Sequence, residues 1–367
     1  MFIEKIDRDS ILKPLQTVVG IVERKQPLPI LSNVLIEKSV DAIKLIATDL
    51  EIQISTQQKL DAGSATGSVT VSAKKLQEIL RVLPDQSQVS LDIQENKLLI
   101  KSNKSKFSLQ TLPAQDFPLV TNLIENATKI VLKQGLLKKL LALVQYAMAQ
   151  QDIRYYLNGV LLVIENNTIR LIATDGHRLA YVSSTIENEG PKQEVILSRK
   201  TVNELSKLLS NNDDPIELEL AEKQVRITFA EIVLTSKVID GKFPDYERVI
   251  PNYTNHLELD RLVIVQALQR AAILSNEKFR GVRFVLTEKN LRIISSNSEQ
   301  EEAQEDIENE YHGPALDIGF NVNYLLDGLN NTPAQAVIFS FGDPNSSILI
   351  TVPGEDEFKY VVMPMRI

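Results

Sequence analysis

The 367 residues carry 40 basic and 48 acidic side chains, a net charge of −8, with no cysteine and three histidines. That length predicts two to four domains at roughly 100–200 residues each; the missing thiols exclude a disulfide framework, and His177, His256 and His312 are too few for a histidine-rich metal cage. Charge from Glu4 onward, and no apolar run near the ~18–20 residues of a membrane span, predict a cytoplasmic protein without a membrane partner, and the net acidity speaks against a nucleic-acid binder of the basic-tail kind.

In chain order, the first helical stretch falls over 7–25. A β-branched run then ends in Leu45-Ile46-Ala47-Thr48-Asp49, and a second helix opens at Ser72, burying Leu76, Ile79, Leu80 and Leu83 with Lys74 and Arg81 opposite. Val89 to Ile93 and Lys97 to Ile100 alternate as a hairpin through Gln94-Glu95-Asn96. From here the chain repeats itself. A helix over 133–149 places Leu136, Leu137, Leu140, Leu141, Leu143, Val144 and Ala147 on one side and Lys138 and Lys139 on the other. Leu171-Ile172-Ala173-Thr174-Asp175 restates the earlier run 126 residues on, and so does the helix opened by Ser198, which buries Val202, Leu205 and Leu209. Phe117-Pro118 and Phe243-Pro244 give the same spacing a third time. A fainter third copy has helices over 260–275 and 321–331, with Arg292 to Asn297 standing where Arg170 to Asp175 stood. The expectation is three domains, 1–125, 126–252 and 253–367, each holding twice over one amphipathic helix followed by three short strands. The fold class is α+β, with helices on one face of antiparallel sheets.

Charge is uneven among these elements. The six helical stretches sum to +8, which leaves −16 for the rest of the chain. Exposed Lys and Arg on a single helix are ordinarily a solvated face. Five of six helices being basic in an acidic protein points instead to phosphates contacted without regard to sequence. Among catalytic motifs, no P-loop, G-x-G-x-x-G opening a helix, H-E-x-x-H or G-x-S-x-G is present. Asp49 and Asp175 recur after equivalent strands, which reads as turn chemistry rather than paired catalytic acids. A hydrolase or transferase using these acids, and a duplicated scaffold without nucleic acid, stand as the rival readings.

Longer runs carry a resemblance: Gln151 to Gly159 (QDIRYYLNG), Ala173 to Ala180 (ATDGHRLA), Phe243 to Tyr246 (FPDY), Ala271 to Val282 (AAILSNEKFRGV) and Tyr360 to Arg366 (YVVMPMR). Through them the whole chain resembles the bacterial sliding clamp family, the beta subunit of DNA polymerase III. The resemblance implies a head-to-tail homodimer, a ring of six domains with helices lining a hole for duplex DNA, no cofactor and no catalysis. It also implies short linear peptides of DNA polymerases, the clamp loader and other proteins as partners. A 120-residue domain taken as a sphere is roughly 35 Å across, and six in a closed ring leave a hole of that width, enough for a hydrated duplex.

The resemblance assigns residues as well. A deep apolar subsite would comprise Leu157, Thr174, Gly176, His177, Arg178, Leu179, Pro244, Arg248, Val249, Val361 and Met363. A shallower one would comprise Arg154, Tyr155, Tyr156, Tyr324, Ser347, Pro364, Met365 and Arg366. Met and Tyr with an Arg rim suit a surface accepting several peptides. The chain departs from the family at Gln150, Asn345 and Ile367. DNA contact would fall to Arg24, Lys25, Gln151, Arg199 and Lys200. For dimerisation, Lys97 to Lys106 carries four lysines and no acid, and Asn297 to Glu310 seven acids and no base. Lys75, Lys97, Lys104 and Lys106 would face Glu299, Glu301, Glu302 and Glu305 of a second copy, with Ile273 and Leu274 packing near Phe107 and Leu109.

Overall fold

The computed structural model describes residues 2–23, 28–59, 65–120, 127–187 and 190–366. Three successive repeats share one element order. The first runs β1 (Ile3–Asp7), α1 (Asp9–Val19), β2 (Asn33–Lys38), β3 (Ala42–Thr48), β4 (Ile52–Lys59), β5 (Gly67–Ser72), α2 (Ala73–Val82), β6 (Gln88–Gln94), β7 (Lys97–Ser102) and β8 (Ser105–Leu112). The second runs β9 (Thr128–Lys133), α3 (Gln134–Val144), β10 (Gly159–Glu165), β11 (Thr168–Thr174), β12 (Arg178–Thr185), β13 (Gln193–Ser198), α4 (Arg199–Leu208), β14 (Pro215–Leu220), β15 (Gln224–Phe229) and β16 (Ile232–Lys237). The third runs β17 (Asn255–Asp260), α5 (Arg261–Ile273), β18 (Gly281–Leu286), β19 (Asn290–Ser296), β20 (Glu302–Glu308), β21 (Leu316–Asn321), α6 (Val322–Asn331), β22 (Ala336–Phe341), β23 (Ile348–Val352) and β24 (Glu355–Val362).

Three tandem α+β repeats with antiparallel sheets are therefore as expected, with one addition. Each half-repeat carries a further strand before its helix, at β1, β5, β9, β13, β17 and β21. Most of these strands run into the helix with no turn residue between, so no punctuation separates the two in sequence. The first helix is also shorter than expected, ending at Val19 with Gly20 after it. Asp260 and Asn321 cap α5 and α6, their side chains accepting from the Val263 and Asn323 amides.

The chain forms two compact units. One comprises Met1–Gly135 and Lys207–Val238 and holds a 12-stranded sheet, β1-β6-β7-β8-β5-β2-β3-β4-β16-β15-β14-β9. The other comprises Leu136–Ser206 and Ile239–Ile367 and holds an 8-stranded sheet, β13-β10-β11-β12-β24-β23-β22-β17, with a 4-stranded sheet, β20-β19-β18-β21. The first unit contains a joint between repeats, β4 against β16 with Ile54 opposite Leu234. The second contains another, β12 against β24 with Leu179 opposite Val361. Each joint joins the third strand after a repeat's first helix to the third strand after the next repeat's second helix.

Among the described residues, two strands of the same kinds have open edges. β8 pairs with β7, and with β5 only at Thr111 and Leu112, so its outer edge is free from Ser105 to Gln110. Among the described residues β20 pairs with β19 alone. Unpaired edges are ready templates for another strand.

Candidate functional site

The site is built around the turn from β11 to β12 in the second unit. Asp175 accepts the His177 and Arg178 amides on Oδ1, at 2.9 and 3.1 Å, and the buried Thr174 hydroxyl bridges the Gly176 amide and the Arg178 carbonyl. This is the turn chemistry expected of Asp175, and Asp49 does the same for Glu51 and Ile52. Gly176 sits at φ +89°, and a Cβ there would come within 2.9 Å of the Arg154 guanidinium. Only glycine meets both conditions without strain.

The expected pocket residues divide by depth. Leu157, Thr174, Leu179 and Val361 are buried, and Leu179 and Val361 join Phe243 and Tyr156 in one apolar cluster. Gly176, His177, Pro244, Arg248, Val249 and Met363 stand exposed above that floor. Arg248 pairs with Asp245 across one helical turn's spacing at 2.8 Å. The Met363 amide donates to the His177 carbonyl, which seats the chain end beside the turn, and the Met365 amide donates to Gly319 in β21. Pro364, between them, has no amide to give a ladder. Ser347 immediately precedes Ile348, which lies opposite Val362, and its carbonyl accepts from Tyr253. Arg366 is exposed.

Tyr155 and Tyr156 meet edge to face at 6.0 Å, both against Gly241. Arg154 grips Asp152 through Nε and Nη2 and reaches the Asp175 carbonyl. Hydrogen bonds from Arg154 lower the Asp152 carboxyl to about 2. The His177 ring stacks on Tyr324 at 6.2 Å, so the imidazole is an aromatic wall of the groove.

Arg178 differs from a rim arginine. Its side chain is 10% exposed. It donates to Asp175 Oδ2, to Asp327 Oδ2 at 2.6 Å and to the Tyr146 carbonyl at 2.6 Å, with its guanidinium 4.6 Å over the Tyr324 ring. Burial opposes the charge, but the surrounding tyrosine and the two acids hold its pKa above the ordinary value. Tyr360, raised by burial, donates to the Tyr324 carbonyl. A Cβ at Gly328 would meet its ring at 2.3 Å, so glycine is what lets α6 approach this closely. Sequence reasoning missed Asp327. The available signal was an acid at one place in each repeat's second helix, Glu78, Glu204 and Asp327.

The expected DNA-contact residues fare unevenly. Arg24 and Lys25 lie outside the described residues. Gln151 is exposed at φ +54° and Lys200 is half-buried. Arg199 holds the Met148 and Ala149 carbonyls, so its guanidinium is engaged within the fold. The helices of the third repeat are committed likewise, Arg261 to the Ala334 and Leu329 carbonyls and Arg270 to Glu305. Lys13, Lys75, Arg81 and Lys139 are exposed on α1, α2 and α3.

At the open edges, Lys97, Lys104 and Lys106 are exposed, with Phe107 and Leu109 half-buried between them. Glu299, Glu301 and Glu302 are exposed, Leu274 is half-buried, and Ile273 is 76% exposed at the end of α5. Glu305 already receives Arg270, so it brings a neutralised pair rather than a free acid to that edge.

Comparison with known proteins accounts for the chain from end to end. The N-terminal, central and C-terminal domain profiles of the DNA polymerase III beta subunit match residues 1–121, 131–245 and 247–366. The beta sliding clamp of Pseudomonas putida is 45% identical over 365 residues, and that of Escherichia coli K12 41% over 363, each covering 99% of both chains. The crystal structure of the DNA polymerase III subunit beta from Pseudomonas aeruginosa superposes with a TM-score of 0.96 at 43% identity, covering 99% of this chain and 100% of that one. A crystal structure of the sliding clamp from the same organism bound to griselimycin has a TM-score of 0.94 at 43% identity, covering 99% of each chain.

Proposed function

The chain belongs to the DNA polymerase III beta subunit family, the beta sliding clamps, and from that premise we propose that it is a replicative processivity factor. A head-to-tail dimer encircles duplex DNA without reading its sequence and tethers polymerases, the clamp loader and other proteins through their short peptides. The observation that carries closure is the pair of open edges. Two joints of one design are made within the chain, and the strands left over, β8 and β20, are the two kinds that such a joint combines. Setting β20 of one copy against β8 of another repeats the internal joints twice and closes six domains, divided near residues 125 and 253, into a ring.

Charge favours the same pairing. Lys97, Lys104 and Lys106 meet Glu299, Glu301 and Glu302, which steers association, while exposed Ile273 finds apolar cover beside Phe107 and Leu109. Lys75 of α2 joins this basic side. Cations such as Lys200 attract phosphates without regard to base sequence, while Arg24 and Lys25 lie outside the described residues. The clamp works in the cytoplasm as an accessory subunit without chemistry of its own. Its repeated acids Asp49 and Asp175 are occupied in turns, and among the described residues no helix is long and apolar enough to cross a membrane. Partner peptides lie in the groove between the Asp175–Arg178 turn, the Tyr155–Tyr156 pair and the chain end. Griselimycin is bound by a solved relative and serves as the probe for this groove.

Topology provides the test. After loading, the protein stays on closed circular DNA and is lost when the circle is linearised. Equal retention on circular DNA and on linear DNA with free ends overturns encirclement.

A further inference from the structure

We infer that Asp327 is a positioning residue of the peptide groove: from α6 it holds the Arg178 guanidinium, and through it the turn and the tyrosine that form the wall between the deep and shallow subsites. The inference rests on the groove assigned above and adds to it a residue that stands outside the groove's lining.

Arg178 and Asp327 are 149 residues apart, joined at 2.6 Å where the arginine is nearly buried. Each edge of the guanidinium has its own partner: Nε takes Asp175, Nη1 takes Asp327 and Nη2 takes the Tyr146 carbonyl. Three acceptors from three elements fix the fork in position and in plane. Two groove walls depend on that plane. Asp175 is held between the arginine and the amides of His177 and Arg178, so the turn carrying Gly176 and His177 follows the guanidinium. The Tyr324 ring lies against the guanidinium at 4.6 Å and against the His177 ring at 6.2 Å, so its orientation follows the same group. Tyr324 and Asp327 are three residues apart on α6, one turn of a single face. The helix therefore presents the ring and the anchor of its neighbour together.

Without the Asp327 carboxylate, Nη1 loses its acceptor on a side chain only 10% exposed and Asp175 alone is left to balance the charge, which disfavours the buried position. The guanidinium then swings toward water and leaves the Tyr324 ring. His177 loses its stacking partner, and the wall a ligand presses against is no longer preformed. A ligand that must first reorder its site binds more weakly by the cost of that ordering.

The test uses the full-length dimer, griselimycin as the probe, and isothermal calorimetry well below the melting temperature. Asp327→Ala is expected to weaken griselimycin binding by about tenfold or more, a ~1.4 kcal/mol loss, with dimer mass unchanged. Asp327→Asn keeps an acceptor oxygen in place without the charge and is expected to fall between alanine and wild type. In both variants the His177 ring protons move away from their ring-current-shifted positions, a readout that general loss of stability does not produce in a folded protein. His177→Ala serves as the control for the groove itself. If His177→Ala weakens binding while both Asp327 variants bind within twofold of wild type with unshifted His177 protons, Asp327 is only a stabilising ion pair and the inference fails. If His177→Ala binds as wild type, the groove assignment fails and this inference with it.

Discussion

The turn at Thr48–Ile52 in the first unit and the turn at Thr174–Arg178 in the second are the same turn. In both, a buried threonine hydroxyl binds the amide two residues on and the carbonyl four residues on. In both, an aspartate Oδ1 takes the amides two and three residues on, and the residue after it has positive φ, +78° at Leu50 and +89° at Gly176. What differs is the cargo. The first turn carries Leu50, Glu51 and Ile52, whose last member is an apolar core residue 1% exposed. The second carries Gly176, which admits Arg154, His177, which stacks on Tyr324, and Arg178, which reaches Asp327. Duplication supplied a rigid turn beside a sheet joint twice, and we propose that only the second copy carries a groove. The repeated acid belongs to the frame of the turn, and the proposal assigns function to the three positions after it in the second copy.

Removing the shared hydroxyl is the severest way to break the comparison. Thr48→Val takes the acceptor from the Leu50 amide while the Ile52 carbonyl keeps the Asp49 amide, and Thr174→Val takes the partner from the Gly176 amide and the Arg178 carbonyl; each should cost about 1–3 kcal/mol, read from denaturant unfolding. Only Thr174→Val should also weaken griselimycin. Equal effects of both on the ligand would dissolve the distinction between the turns.

Exchanging the positive-φ residues is a milder intervention. Gly176→Leu places a side chain where Arg154 lies and adds about 1–2 kcal/mol of backbone strain, so ligand affinity should drop at least tenfold. Leu50→Gly relieves strain of that order against the entropy glycine loses on folding, for a net gain of at most about 1 kcal/mol and no change in ligand affinity. Thermal melts and calorimetry on the two variants decide the matter.

The smallest effect concerns pH. Asp152 has its carboxyl lowered to about 2 by Arg154, below the unfolded value of about 3.9. Its contribution is therefore fully present above the unfolded value and is lost as pH falls through about 2. A carbon-detected titration should place the Asp152 carboxyl midpoint near 2, and Arg154→Ala should return it toward the ordinary carboxylate range. An unperturbed midpoint in the wild type would show that Arg154 is not seated over the turn.

The repeats were legible because three separate markers recur at one spacing and the helices keep a 3.6-residue apolar period from Leu136 to Ala147 and from Val202 to Leu209. The extra leading strands were not. Ser72 and Ser198 end a strand and adjoin a helix at the next residue, so the change of period has no room to show. Nor does a local pattern encode that β4 pairs with β16, since alternation fixes which face a strand buries but not its distant partner. In the groove, the resemblance supplied the residues and the structure supplied their states. Arg199, expected to contact DNA, is held by carbonyls within the fold, and Arg178, assigned to the deep subsite, is held by two acids and a carbonyl. Asp327 stayed hidden because its partner lies 149 positions away.

The claim that one copy of the duplicated turn carries the groove is tested most directly by the stoichiometry of griselimycin binding, measured by calorimetry on wild type, His177→Ala and Glu51→Ala, the last altering the position equivalent to His177. The account predicts one ligand per chain in the wild type, binding weakened at least about tenfold by His177→Ala, and no change with Glu51→Ala. Two ligands per chain, or one whose affinity follows Glu51 rather than His177, would contradict it.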